Sequence, residues 1–306
     1  MNVDVVIVTY NRLEKLKKAL ACYENQTMTF RNMIVINNHS TDGTFEYLEN
    51  WKNIEAPFVK YVITTDNNLG GSGGFYQGQK FAMSLNPDWI YLADDDAYAD
   101  PDMMEQFYKF CDTHDIDKMS AICGAVYNME GMISLAHRGI HKIENKNHYV
   151  RDNCPEKCYK NDFFQIDCLS YVCSFLRADA IRKVGYVNPK YFIYSDDTEH
   201  SIRLCKVGNI ICVPSITIYH DEVYTSTGSL WKKYYAIRNN CHMLRKYFFR
   251  AAIDRTIYML KLSKKANCNP IYKTIIRIAL FDAWCGKLGK HKTYKPGWGP
   301  ENNVTK

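Results

Sequence analysis

Three consecutive aspartates, Asp94-Asp95-Asp96, close the apolar run Trp89–Ala93. Alternate side chains of an extended chain point the same way, so Asp94 and Asp96 are expected to share one side. Two hard carboxylates facing together suit Mg²⁺ or Mn²⁺, which commonly also takes phosphate oxygens from a substrate. A solvated acidic turn is the plainer reading of such a triplet, but a surface turn has no need of three like charges at the end of a buried strand. A second acidic cluster, Ser195-Asp196-Asp197-Thr198-Glu199, stands before Ile202, Leu204 and Cys205. Asp197 is a candidate general base, its anion partly stabilised by a helix start; the alternative is that Asp196 or Asp197 simply caps the helix. His220 ends the strand-like run Ile216–Tyr219. Taken alone, such a histidine is more often a satisfied core or surface residue than a ligand. The run Gly70-Gly71-Ser72-Gly73-Gly74 brings backbone N–H groups near an anion, or lets a helix pack closely on a strand. It is neither a Walker A loop nor a GxGxxG fingerprint.

The elements that must position these groups alternate. Val3–Thr9, Met33–Asn37, Lys60–Thr64 and Trp89–Ala93 read as buried strands. Between them, Leu13, Leu16, Leu20 and Tyr23 share a helical face, with Asn11 a plausible cap. Phe45, Leu48 and Trp51 suit a short helix, and another opens near Phe75. Asp100-Pro101 reads as a cap and first turn before Met103, Phe107 and Phe110. Such alternation means a mostly parallel sheet, whose ligands sit at the carboxyl ends of the strands. Those ends carry residues 9–12, Asn37-Asn38, the glycine run and the aspartates. Beyond residue 120 the pattern loosens, with strand-like runs at Ser120–Tyr127 and Ile210–Val213 and a helix at Ala178–Val184. From Leu230 the chain reads as helical, basic and aromatic.

The composition of the 306 residues, 46% hydrophobic and 24% charged, excludes general disorder, collagen and coiled coils. No membrane-spanning run or signal peptide is legible, so the expected address is the cytoplasm. Twelve scattered cysteines include Cys154-x3-Cys158 and Cys168-x4-Cys173, neither of them the usual C-x2-C knuckle, and are expected to be free thiols rather than zinc ligands. Residues 230–306 hold 17 of the 39 Lys and Arg against three acids, a net +14, while residues 1–229 carry −8.

Taken together, VVIVTYNR (Val5–Arg12), VINNHSTDGT (Val35–Thr44), the aspartate triplet and YSDDTEHSIRL (Tyr194–Leu204) resemble the inverting, nucleotide-sugar-dependent glycosyltransferases of family 2. Residues 68–75 (NLGGSGGF), Asp94-Asp95-Asp96 and Asp196-Asp197-x-Glu199 most resemble the bacterial galactofuranosyltransferases. The resemblance implies an α/β GT-A fold: a Rossmann-like, mostly parallel sheet with flanking helices over residues 1–229, and a helical basic extension over 230–306. It implies that Thr9, Tyr10, Arg12, Asn38, Asn68, Gly71 and Asp95 line a UDP-sugar site. Asp94, Asp96 and His220 would hold Mn²⁺ or Mg²⁺. Asp197 would deprotonate the acceptor hydroxyl, with Asp196, Tyr171 and Trp231 on the acceptor side. Tyr171 lies where those enzymes carry a tryptophan pair, and many relatives are acidic at the position of Asn37.

The implied reaction is transfer of galactofuranose from UDP-galactofuranose to a glycan or lipid-linked glycan in cell-surface polysaccharide synthesis. A rhamnosyltransferase using a dTDP sugar is the nearest alternative. A catalytically idle sugar-nucleotide or glycan-binding module would tolerate loss of Asp197 or the paired carboxylates, yet both are present. A nucleotidyltransferase usually needs a glycine-rich basic loop after the first strand, and residues 11–14 are not one. In the basic segment, Trp231, Tyr234, Tyr235, Tyr247, Phe248 and Phe249 stand beside Lys232, Lys233, Arg245, Lys246 and Arg250. This reads as a solvated helical face or as a patch for an anionic membrane, peripheral at the inner face of the plasma membrane. Nucleic acid is not expected as a partner, because the body is acidic.

Overall fold

A computed structural model describes residues 1–144, 148–221, 229–265 and 267–299, with backbone alone for residues 143, 144 and 148–150. The elements run β1 (Val3–Thr9), α1 (Leu13–Glu24), β2 (Asn32–Asn37), α2 (Thr44–Trp51), β3 (Val59–Thr64), α3 (Gly70–Ser84), β4 (Trp89–Asp94), β5 (Ala97–Ala99) and α4 (Met103–Thr113). They continue with β6 (Met119–Asn128), β7 (Arg138–Glu144), β8 (His148–Asn153), β9 (Phe164–Ile166), β10 (Cys168–Leu169), β11 (Ser174–Arg177) and α5 (Ala178–Val184). The last are α6 (Asp196–Leu204), β12 (Asn209–His220), α7 (Leu230–Tyr247), α8 (Phe249–Lys264) and α9 (Pro270–Trp284).

The main sheet has the order β3-β2-β1-β4-β11-β6-β12-β5, with β9 added on β12. The four strands β3, β2, β1 and β4 are mutually parallel. Strand β11 then pairs antiparallel with both β4 and β6, while β12 runs parallel to β6. Strand β1 is buried along its whole length, as a continuous apolar run requires when helices cover both faces. Val5 and Ile7 pack with Leu16 and Leu20 of α1, Leu48 of α2 and Phe107 of α4. Val6 and Val8 face Phe75 and Ala82 of α3 and Ile181 of α5. The chain leaves β1 toward β2 on one side and reaches β4 on the other, so a crevice opens at the carboxyl ends of β1 and β4.

Several local expectations change. Asn11 is not the cap of α1: its φ of 52° is left-handed, and its side chain accepts from the Thr41 N–H. Arg12 takes the cap position, and the Asp42 carboxylate receives the Leu13 N–H. The glycine run lies inside α3 rather than before it. The aspartate triplet leads first into the short strand β5, and the cap of α4 is Asp102. The runs at 210–213 and 216–219 are one strand, β12, with a register shift between Val213 and Thr217. The sheet β10-β7-β8 has no counterpart in the sequence reading. All twelve cysteines are free thiols; six are buried and Cys205 and Cys285 are exposed.

The helices after residue 230 are packed rather than appended. Tyr234, Tyr235, Ile275, Ile276 and Ala279 form a cluster with Phe192 of the segment before α6. Tyr234 and Tyr235 are thereby buried, so they are not part of any outward aromatic patch. Among the described residues no helix is long and apolar enough to cross a membrane.

Candidate active site

The crevice holds a cleft of about 320 Å³. Thr9, Tyr10 and Arg12 line it from the end of β1, and Asp94 and Asp95 from the end of β4. Asn38, Asn68 and Gly71 line it from the loops after β2 and β3. Trp231 closes it from the first turn of α7. Phe192, Tyr194, Lys232 and Pro296 also reach the cleft, and the sequence reading did not place them there.

The glycine run has divided roles. A Cβ on Gly74 or Gly78 would collide with Val8 or Val6, so these positions let α3 lie directly on β1. Gly70 has a φ of +74° and sits against the Phe192 carbonyl, while a Cβ on Gly71 would meet nothing. The first N–H groups of this turn are already engaged. Leu69 donates to Asn38 Oδ1 (2.9 Å), Gly70 to Asn68 Oδ1 (2.8 Å) and Ser72 to the Phe192 carbonyl (3.1 Å). Asn38 Nδ2 also donates to the Gly70 carbonyl (3.0 Å). The two asparagines therefore shape the turn as well as line the cleft.

Asp96 groups with Asp94, and it shares Arg12 with Asp95. Asp95 accepts from Thr9 Oγ1 (2.7 Å), the Tyr10 N–H (3.4 Å) and Arg12 Nη1 (3.1 Å). Asp96 accepts from Arg12 Nη1 (2.6 Å) and lies 3.2 Å from His220 Nε2. One ligand atom each from Asp94, Asp96 and His220 lie within 4.8 Å of one another. Burial and then the Asp96 charge push Asp94 up to about 7. Burial raises Asp95 to about 6 against the pull of Arg12. Burial opposes ionisation of Asp96 too, but His220, Arg12 and Lys15 outweigh it and lower its pKa. Three carboxylates against one guanidinium and the more distant Lys15 leave an excess of negative charge. The donor set fits a hard divalent cation. At 3.2 Å, His220 Nε2 and Asp96 Oδ1 are close enough to bind one cation together.

Asp196 and Asp197 open α6. Ser195, at φ 62°, is the cap, so neither aspartate serves that role. Asp196 is buried and pushed up to about 7, first by burial and then by Asp197. Asp197 is half-buried; one of its oxygens accepts from the Thr198 N–H (2.6 Å) and hydroxyl (3.2 Å). Burial raises its pKa, opposed by Thr198 and the Arg151 charge. Glu199, the third acid, is locked by Arg203 Nη2 (2.8 Å), Lys246 Nζ (3.1 Å) and the Tyr247 hydroxyl (2.5 Å). It fastens α6 to α7.

The approach to α6 is strained: Phe192, Tyr194 and Ser195 are all left-handed, with φ of 69°, 65° and 62°. Buried Asn239 of α7 holds this segment, donating through Nδ2 to the carbonyls of Tyr191 (2.9 Å), Ile193 (2.7 Å) and Tyr194 (2.9 Å). Arg238 Nη2 adds a bond to Tyr191 (3.0 Å). Sequence reasoning missed both residues. Tyr171 is buried between Phe75 and His200, its hydroxyl 2.8 Å from His200 Nδ1, and does not line the cleft.

Residues 4–185 match the glycosyl transferase family 2. The chain belongs to that family. Asp94, Asp95 and Asp96 fall inside the matched stretch, whereas Asp196, Asp197, His220 and Trp231 follow it. Among family relatives, a galactofuranosyltransferase of Mycolicibacterium smegmatis is 25% identical over 207 residues, 67% of this chain and 66% of its own length. An N-acetylglucosaminyl-diphospho-decaprenol L-rhamnosyltransferase of Mycobacterium tuberculosis is 23% identical over 247 residues, 73% of this chain and 77% of its own. The fold is that of Staphylococcus aureus TarS in complex with UDP (TM-score 0.55, 15% identity, 93% of this chain and 72% of that one). It is also that of GalNAc-T7 with UDP, GalNAc and Mn²⁺ (TM-score 0.60, 11% identity, 92% and 56%). The GT-A architecture, a mixed sheet flanked by helices, is thus common to all three.

Proposed function

We propose that this family 2 enzyme is a metal-dependent inverting glycosyltransferase that moves galactofuranose from UDP-galactofuranose onto a glycan or lipid-linked glycan. The observation that carries the reading is the convergence of Asp94, Asp96 and His220 beside the cleft that Thr9, Arg12 and Asn68 line. The choice of sugar rests on the galactofuranosyltransferase relative and on residues 68–75, 94–96 and 196–199.

Asp94, Asp96 and His220 would hold Mn²⁺ or Mg²⁺, which supplies Lewis acidity to a diphosphate. Arg12 and Lys232 on the cleft wall add positive charge where the leaving group becomes negative. Asp197, with one oxygen fixed by Thr198, accepts the proton of the acceptor hydroxyl. The acceptor oxygen bonds to the anomeric carbon as the opposite bond to the diphosphate oxygen breaks. Its electron pair leaves on the diphosphate, and the anomeric centre inverts. Asp196 and Trp231 border the acceptor side.

The test incubates the protein and Mn²⁺ with UDP-galactofuranose, UDP-galactopyranose or dTDP-rhamnose and a galactose- or rhamnose-terminated acceptor. Release of UDP from UDP-galactofuranose, lost in chelator, is expected. Release from dTDP-rhamnose alone would move the donor to the second reading, which the rhamnosyltransferase relative supports. Full activity in chelator would remove the metal from the mechanism, and binding of a nucleotide sugar without turnover would leave a binding module.

A further inference from the structure

Helix α8 has two unlike faces. Ala251, Ala252, Met259 and Ser263 are buried. On the other side Phe249, Ile253, Ile257 and Leu260 are 58%, 39%, 45% and 38% exposed. Steps of four, four and three residues put them in one row along the helix. Phe281 of α9 is also 58% exposed, and the Trp284 ring one turn further along α9 meets the Phe249 ring at 5.8 Å. Single exposed apolar residues are ordinary, but an aligned row is not.

The charge beside the row is mostly positive. Exposed Lys261 and Lys264 flank it, and Asp254 is the only acid in the helix. We propose that this row docks on an anionic lipid surface, the apolar side chains entering the interface and the flanking cations meeting the headgroups. A second copy of the chain is the poorer occupant, because it would bring two segments of net +14 together. The docking face also differs from the aromatic set that the sequence suggests. Tyr234 and Tyr235 are buried, Trp231 lines the cleft and the Tyr247 hydroxyl is held by Glu199. Phe249 alone of the exposed row belongs to that set.

The geometry ties the surface to the cleft. Cys241 Sγ and Thr256 Oγ1 lie 3.5 Å apart, so α8 folds back along α7. Met259 and Leu262 near the end of α8 pack in one cluster with Tyr234 and Tyr235 of α7, and Trp231 and Lys232 in the first turn of α7 line the cleft.

The test is flotation of the full chain with vesicles of phosphatidylcholine alone, or with about 30% phosphatidylglycerol. Binding to the anionic vesicles is expected, weakening as salt rises. Ile253→Glu with Ile257→Glu is expected to reduce it by about tenfold or more, and Lys261→Glu with Lys264→Glu by a similar factor on anionic vesicles alone. Both pairs are exposed, so the thermal melt and nucleotide release in solution stay as in the wild type. Absence of wild-type binding to anionic vesicles would overturn the proposal, as would undiminished binding by the isoleucine variant. Self-association that Ile253→Glu dissolves, without any vesicle binding, would assign the row to a second copy instead.

Discussion

Asp196→Asn should make the stability of the folded protein less sensitive to a rise from acidic to neutral pH while impairing transfer. The Asp196 carboxyl is 8% exposed and is held at about 7, against an ordinary value of 3.8, by burial and by the neighbouring Asp197. A folded-state pKa above the unfolded value favours folding fully below the unfolded pKa, and that advantage is lost as pH rises through the folded one. The window therefore runs from about pH 4 to about pH 7. A shift of roughly three units corresponds to about 4 kcal/mol, an upper figure because Asp196 and Asp197 titrate together. Asparagine keeps the shape and cannot ionise, so between about pH 4 and pH 8 the variant should gain up to about 4 kcal/mol relative to the wild type. Urea unfolding of both proteins at the two pH values measures this difference directly. Chelator belongs in the buffer, because the Asp94 charge is one of the causes of the shift and a bound cation would offset it. An equal stability difference at the two pH values would refute the burial argument.

Asp197→Asn should lower transfer by about 10² or more with donor binding near normal, and a milder effect than that of Asp196→Asn would exchange the two roles. Because burial raises the Asp197 pKa, kcat/KM should fall on acidification along a limb displaced toward neutrality, and a profile flat down to the ordinary carboxylate range would exclude it as the base. Mn²⁺ at about 100 times its Kd should stabilise the wild type by about 2.7 kcal/mol in a thermal shift, and Asp96→Asn or His220→Ala should abolish that response. Asn239→Ala, which leaves three carbonyls without their shared donor, should cost about 2–3 kcal/mol on urea unfolding and lower kcat.

The residues nearest the strand ends were the most legible. An apolar run such as Val3–Thr9 has few ways to be buried on both faces, and parallel pairing then fixes where Asp94 and Thr9 emerge. The glycine run was legible as important but not as divided, because one spacing serves both packing against Val8 and an opening at Gly71. The sheet β10-β7-β8 escaped notice because β7 and β8, antiparallel neighbours along the chain, lack a strong apolar alternation, and β10 is only two residues long. Nor could sequence spacing show Asn239, 45 residues from its partner Tyr194, as a structural donor. A polar residue in a helix reads as solvent-facing until a strained neighbour supplies carbonyls for it.

That contact also changes what the segment after residue 230 does. Three left-handed residues before Asp196 have little reason to stay so on their own, since each is disfavoured by about 1–3 kcal/mol. Asn239 and Arg238 oppose this cost from α7, Glu199 fastens α6 to the same helix, and Trp231 and Lys232 at its start wall the cleft. Removing the chain from about residue 241 would delete the end of α7, with the Lys246 and Tyr247 that hold Glu199, together with α8 and α9, and loosen the turn that presents both aspartates. Truncation therefore confounds surface attachment with the integrity of the site, whereas substitutions in the exposed row of α8 separate them. A variant that keeps turnover in solution while losing vesicle binding is the outcome that this separation demands.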